Sequence, residues 1–272
     1  MTPNKDLAIV LRSVVFQDRD RIVTALTQNH GRITALAKNS VHSKRFGGSL
    51  EAFTAGEWLF TQKPNADMAH LSEANVKRAY EGLRRDFHRL SIGSAFSEII
   101  LKLTHPNEPC PQLFQLHSNA LAVLEETDNL ANPFSLLNMY LAKVLQWSGH
   151  QPDFLNCLAC EKSLNDVMEL TAIVSEGGWV CADCRHTHAP THAVAAQGKH
   201  PLHRHAIVDL LMAMNHPFRQ AVTQVSGTPD AHQDLFAYLE AFLSYHVAGF
   251  DRAAMKSLRF ISGSSEPLPP GL

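Results

Sequence analysis

The sequence predicts an α+β multidomain protein, with a small closed β-barrel at the N-terminus and a C-terminal α-helical domain that carries an inserted four-cysteine module. Three observations carry this reading. The first 75 residues break into five short runs of strand character separated by turn residues. From residue 76 the apolar spacing changes to three and four. Between 157 and 184 two Cys-x-x-Cys pairs interrupt the helical pattern. The 272 residues are 45% apolar and 18% charged, which allows a sizeable core and excludes wholesale disorder.

The first run, 7–16, is apolar on both sides up to Arg12, as expected of a strand in a small barrel. Asp18-Arg19-Asp20 makes a turn into a second strand at 21–27. Gln28-Asn29-His30-Gly31 forms a hairpin loop in which Gly31 is free to take positive φ. The third strand, 32–38, alternates: Ile33, Ala35 and Ala37 face one way, Arg32, Thr34, Leu36 and Lys38 the other. A loop over 39–48 precedes a fourth strand at 49–61, where Gly56 marks a bulge or barrel corner. After Pro64-Asn65, 68–74 supplies a fifth. Five short, strongly curved strands followed by a helix indicate a Greek-key barrel of the OB type over 1–76.

Ile92, Ala95, Phe96, Ile99, Ile100 and Leu103 then keep helical spacing, and Leu113, Leu116, Ala120, Leu121 and Leu124 repeat it. Asn132-Pro133 reads as an N-cap with proline at the first helical position; the helix over 134–147 is apolar nearly all round and ends at Gly149. Helix resumes at 202–215 and 232–248. The helical domain thus comprises 77–152 and 191–261, the cysteine module 153–190, and a disordered Ser- and Pro-rich tail 262–272.

Charge is divided unequally. Residues 1–90 hold 14 Lys/Arg against 9 Asp/Glu, and the rest holds 10 against 17, which the net charge of −2 conceals. A basic front suggests a polyanion-binding module joined to one that does not bind polyanions. The opening residues lack a secretory pattern, and no uncharged apolar stretch reaches the roughly 18–20 residues of a membrane span. Four of five cysteines lie in two tight pairs, unlike a secreted disulfide framework. A cytoplasmic protein without membrane contact is expected.

Cys157-Leu158-Ala159-Cys160 and Cys181-Ala182-Asp183-Cys184 are separated by twenty residues. Two such knuckles place four thiolates around one tetrahedral ion, with strands at 169–174 and 179–180 bringing them together. The expected cofactor is one structural Zn2+ per chain, because four cysteines leave no open coordination position. A redox dithiol needs only one pair, and a degenerate, metal-free module is the other alternative. The H-x-E of a zinc deaminase does not occur. Cys110 reads as an ordinary thiol. His186, His188, His192, His200, His203 and His205 follow the second knuckle and read as solvated or locally bonded side chains.

The loop over 38–48 places Lys38, Lys44 and Arg45 around Phe46 and a Gly-Gly pair, with Arg32 on the same face as Lys38. Cations for phosphates and an aromatic for base stacking suit sequence-tolerant single-strand binding. Arg84 and Arg85, with Arg78 and Arg89, extend the positive field. Two plainer readings stand beside this one: a solvated charged face, and Phe46 plugging the barrel end. Phe53, Trp58 and Phe60 read as core. No phosphate-loop, dinucleotide, nucleophile-elbow or zincin motif occurs, and a binding protein rather than an enzyme is expected.

These pieces together resemble the RecO family of bacterial recombination mediators. The resemblance rests on Ala8-Ile9-Val10-Leu11, on Thr27 with Gly31-Arg32-Ile33-Thr34 and Leu36-Ala37-Lys38, and on both knuckles and Leu258-Arg259-Phe260. Ser43-Lys44-Arg45-Phe46-Gly47-Gly48-Ser49-Leu50-Glu51-Ala52-Phe53 is its most specific part. Where relatives often carry more cations, this chain has Asn39-Ser40-Val41-His42, which implies a weaker or more pH-sensitive hold on DNA. The resemblance implies a non-enzymatic, nucleoid-associated mediator of the RecF pathway. Such a protein binds single- and double-stranded DNA and anneals complementary strands. It partners RecR, contacts the C-terminal tail of single-stranded-DNA-binding protein, and helps load RecA onto the strands that protein covers. A zinc-stabilised protein-interaction scaffold with little nucleic-acid binding is the alternative.

Overall fold

The computed structural model describes residues 3–64, 66–127, 132–188, 200–248, 250 and 255–261. The expected tail at 262–272 and His192 lie outside the described residues. Two compact units are formed, Met1–Asp128 with Lys256–Leu272, and Asn129–Met255.

The first unit contains a closed five-stranded barrel, β1 (Asn4–Phe16), β2 (Asp20–Thr27), β3 (Gly31–Ala37), β4 (Ala55–Thr61) and β5 (Ala69–Arg78), in the order β1-β2-β3-β5-β4. All neighbours are antiparallel except β3 and β5. This is the predicted barrel, and its core follows the alternation of the strands: Val10, Val23, Ile33, Ala35, Trp58, Phe60 and Leu71 point inward and are buried. Barrel closure leaves no unpaired edge. Gly56 sits at a register shift where an added Cβ would fall 2.4 Å from the Asn75 carbonyl oxygen, so only glycine allows β4 and β5 to approach there.

Two boundaries differ from the sequence reading. The fourth strand begins at Ala55, not 49, because 46–54 is spent on turns: the Ser49 N–H donates to the Phe46 carbonyl, Glu51 to Gly48 and Thr54 to Glu51. Phe53 turns this corner in the left-handed region (φ 71°), donating to the Val10 carbonyl, with its ring against Gly93. The fifth strand runs to Arg78, so helix begins only at α1 (Glu81–Arg85).

α2 (Phe87–Leu103) and α3 (Pro111–Glu126) complete this unit with α8 (Lys256–Ile261). The sequence reading assigned all of them to one helical domain with the later helices. The compact units instead group them with the barrel. Glu98 of α2 accepts from the N–H and hydroxyl of Ser257, capping α8 from outside its own chain segment.

The second unit holds α4 (Pro133–Ser148), α5 (Arg204–Asn215), α6 (Phe218–Ala221) and α7 (Pro229–His246). α4 behaves as read: the Asn132 side chain accepts from the Phe134 N–H, Gly149 closes the helix at φ 75°, and nine of its side chains from Leu137 to Leu145 are buried. Buried Asp209 fastens the segment before α7 by accepting from the Ser226 N–H and hydroxyl, the Gly227 N–H and His232. A three-stranded sheet, β6 (Glu169–Ile173), β7 (Gly178–Cys181) and β8 (His200–His203), lies in the order β7-β6-β8. β8 is absent from the sequence reading, which began a helix at 202. Among the described residues no helix is long and apolar enough to cross a membrane.

Candidate metal centre and nucleic-acid interface

The β6–β7 hairpin brings the two knuckles together. Ala172 pairs with Trp179 and Leu170 with Cys181, and the Leu158 N–H donates to the Trp179 carbonyl, which fixes the first knuckle beside β7. Trp179 is fully buried, with its indole N–H on the Phe154 carbonyl. Each knuckle closes in a tight turn: Glu161 N–H to Cys157 carbonyl, and Cys184 and Arg185 N–H to Cys181 carbonyl.

The Sγ atoms of Cys157, Cys160, Cys181 and Cys184 all lie within 4.8 Å of one another. Cys160 Sγ and Cys181 Sγ are 3.8 Å apart. Four thiolates about 2.3 Å from a tetrahedral ion stand about 3.8 Å from each other, so the donor set fits such an ion, with one pair already at that spacing and none farther apart than 4.8 Å. Burial alone would push the Cys157 thiol up, but the backbone N–H groups of Cys181, Ala159 and Cys160 draw it down to about 6. Cys184, whose thiol is shared with Cys181 and Cys160, is pushed up to about 12. The same cluster thus holds one thiol drawn toward the thiolate by backbone N–H groups and one, Cys184, kept protonated mainly by hydrogen bonding to its neighbours. The metal-ligating group found among the described residues contains no histidine. His188 faces Glu176, and His186 accepts from Arg185. Cys110 occupies the N-cap position of α3 without a side-chain capping bond, its thiol donating to the Gln112 side-chain oxygen at 3.7 Å.

The expected nucleic-acid residues divide into two groups. Lys38, Lys44, Arg45 and Arg85 are exposed. Arg85 pairs with Glu81, while Lys38, Lys44 and Arg45 have no ion-pair partner among the described residues. Arg32 and Arg84 are held by the fold. The Arg32 guanidinium donates to the Thr104 carbonyl at 2.9 Å, with burial lowering its pKa, and Arg84 donates to the Ala52 and Ala79 carbonyls. They join the barrel to its neighbouring segments.

Phe46 is 3% exposed and belongs to the barrel core, with the Arg45 guanidinium 4.8 Å from its ring centre. The ring is a plug, the plainer of the two readings, and no face of it is open to a base. Its burial tucks the loop in and turns Lys44 and Arg45 outward. Sequence reasoning passed over Arg12, Val14 and Phe16 at the far end of β1, all exposed. The signal was there: three apolar residues run on after a cation, where the barrel pattern should end.

A sequence profile described as Recombination protein O N terminal matches residues 1–80, and one described as Recombination protein O C terminal matches 84–255. A protein of Desulfatibacillum aliphaticivorans named DNA repair protein RecO is 30% identical over 266 residues, 96% of this chain and 97% of its own. One from Desulfosudis oleivorans with the same name is 28% identical over 246 residues, 89% and 92% of the two chains. A third, from an Anaeromyxobacter strain, is 31% identical over 183 residues, 67% and 70%.

Proposed function

Because the chain belongs to the RecO family of DNA repair proteins, we propose that it is a non-enzymatic recombination mediator that binds single- and double-stranded DNA through its barrel and anneals complementary strands. In this reading it works with RecR, contacts the C-terminal tail of single-stranded-DNA-binding protein, and helps RecA onto strands that protein covers, in the cytoplasm at the nucleoid. The observation that supports it is the exposed trio Lys38, Lys44 and Arg45, turned out from a closed barrel and unneutralised by any described carboxylate. Two DNA strands repel through their phosphates. Cations that screen the phosphates and leave base edges free lower that barrier without a nucleotide cofactor.

Zinc is the ion we assign to Cys157, Cys160, Cys181 and Cys184. Bound there it cross-links the two knuckles, and the closed thiolate set makes it structural. The centre belongs to the second unit, and the ion is assigned the support of that unit.

One observation favours the alternative, a protein-interaction scaffold: Arg32 and Arg84 are committed to backbone carbonyls, which reduces the cations free to meet DNA. A titration of labelled single-stranded DNA across a salt series separates the two. The mediator shows affinity falling linearly in log–log form as counterions are released. Absence of binding at low salt, or binding without a salt slope, overturns it.

A further inference from the structure

The outer face of β1–β2–β3 is open at the end away from Arg32. Val14 pairs with Ile22 and Ile22 with Leu36, one apolar row across three strands. Beside it Thr24 and Thr34 share a hydroxyl hydrogen bond at 3.1 Å. The inner face of the same strands is already filled by Val23, Ile33, Ala35 and Ala37, so this row serves no core. Beyond it Phe16 is 40% exposed at the hairpin tip, opposite Asp20.

The tip is tied to the basic loop. The Val41 N–H donates to the Arg19 carbonyl at 3.0 Å and the Asn39 N–H to the Asp20 carboxylate at 2.7 Å. The segment leading to Lys44 and Arg45 therefore starts beside Phe16. Arg12 and Lys38, both exposed, flank the apolar row on β1 and after β3. Two carboxylates lie at the hairpin tip, Asp20 and exposed Asp18; Asp20 accepts from the loop N–H of Asn39, and Arg12, Arg19, Lys38, Lys44 and Arg45 outnumber the two acids.

We infer that this face is a single-stranded-DNA platform on which Phe16 stacks a base, the Val14–Ile22–Leu36 row seats its neighbours, and Arg12, Lys38 and the Lys44–Arg45 loop take the phosphates. The inference rests on the DNA-binding reading and deepens it: it replaces buried Phe46 with Phe16 as the stacking ring. Single-stranded DNA suits the face because it offers open base faces and regularly spaced negative charge together. A duplex offers only the charge.

The test is a binding titration of the full chain with labelled oligonucleotides, single- and double-stranded, at two salt concentrations, for wild type, Phe16→Ala and Phe16→Trp. The half-exposed ring can be removed without opening the core, and thermal melting checks that the fold persists. Phe16→Ala should weaken single-strand binding about 5- to 140-fold, leave duplex binding within about twofold and keep the salt slope, since every phosphate keeps its cation. Phe16→Trp should bind like wild type. If wild type binds and Phe16→Ala binds equally well, or loses both substrates alike, the platform is wrong and the DNA-binding reading survives. If Phe16→Ala instead changes only self-association in sedimentation, the face joins copies of this chain and the inference falls. If wild type binds no DNA, both fall.

Discussion

Phe46→Ala separates a stacking ring from a plug. The ring is 3% exposed among Leu50, Trp58, Leu71 and the small residues of β3. Removing a buried phenyl group loses its transfer free energy and leaves a cavity, together about 3–5 kcal/mol. For a domain of ~150 residues each kcal/mol shifts the midpoint by about 2–4 °C, so the transition of the barrel unit should fall by about 6–20 °C. The assay is calorimetry, in which a barrel unit that unfolds on its own gives a step distinct from that of the second unit. The loop loses its anchor and Arg45 its aromatic support at 4.8 Å, so some loss of affinity is expected below the transition. That loss should be shared by single strands and duplexes, since it comes from looser cations. An unchanged midpoint together with a loss confined to single strands refutes the reasoning, because only a base-stacking ring produces that pair of results.

Reversing Lys44 and Arg45 to Glu should weaken binding to every DNA sequence about equally and flatten the single-strand salt slope by ~0.7 for each phosphate left without its cation, read from the same titrations. Metal analysis of the pure protein should give one ion per chain, and Cys181→Ser should abolish it and unfold the cysteine module while the barrel transition stays in place; an ion retained after this change refutes the assignment. His117 is fully buried and held down to about 3 by desolvation, whereas in the unfolded chain it titrates near 6.5. The unfolded state thus gains the proton, and stability present above pH ~6.5 is lost as pH falls toward 3, by up to about 5 kcal/mol. His117→Leu should remove about one proton from the pH dependence of unfolding.

The strands were legible because burial in a barrel imposes a period of two, as 33–37 shows in full. Turns with the same composition were not. Ser49–Thr54 alternates like a strand, and only the hydrogen bonds from Ser49, Glu51 and Thr54 back along the chain reveal a folded corner. β8 was hidden for the opposite reason. His200-Pro201-Leu202-His203 has strand identity only through its pairing with β6, with Leu202 its one buried side chain. The convergence of the four cysteines could be read from their spacing, since two Cys-x-x-Cys turns joined by a hairpin bring their thiols to one point. Periodicity identified the helices but not their partners, which left the division at residue 128 invisible.

The basic front was legible as a number and not as a surface. Its cations serve two ends. Lys5, Arg21, Arg78 and Arg85 meet carboxylates on Glu57, Glu51, Glu125, Glu126 and Glu81. Arg32, Arg84 and Arg89 donate to backbone carbonyls at Thr104, Ala52 and Leu124, and so are held as cross-braces. A guanidinium suits such work because its fixed fork satisfies several carbonyls while its stem packs. Apart from Lys63 after β4 and Lys77 on β5, what remains is Arg12, Arg19, Lys38, Lys44 and Arg45, on the outer face of β1–β3, its hairpin tip and the loop tied to that tip. A modest net charge on the front of the chain therefore becomes a cluster of five cations at one end of the barrel, with Asp18 and Asp20 of the hairpin tip as the acids beside them. Phosphate attraction falls off within about 8–10 Å at physiological salt, so this clustering matters more to a passing strand than the total charge does. The same clustering predicts that removing Arg32 or Arg84 acts on the fold, while removing Lys44 or Arg45 acts on the DNA affinity proposed above.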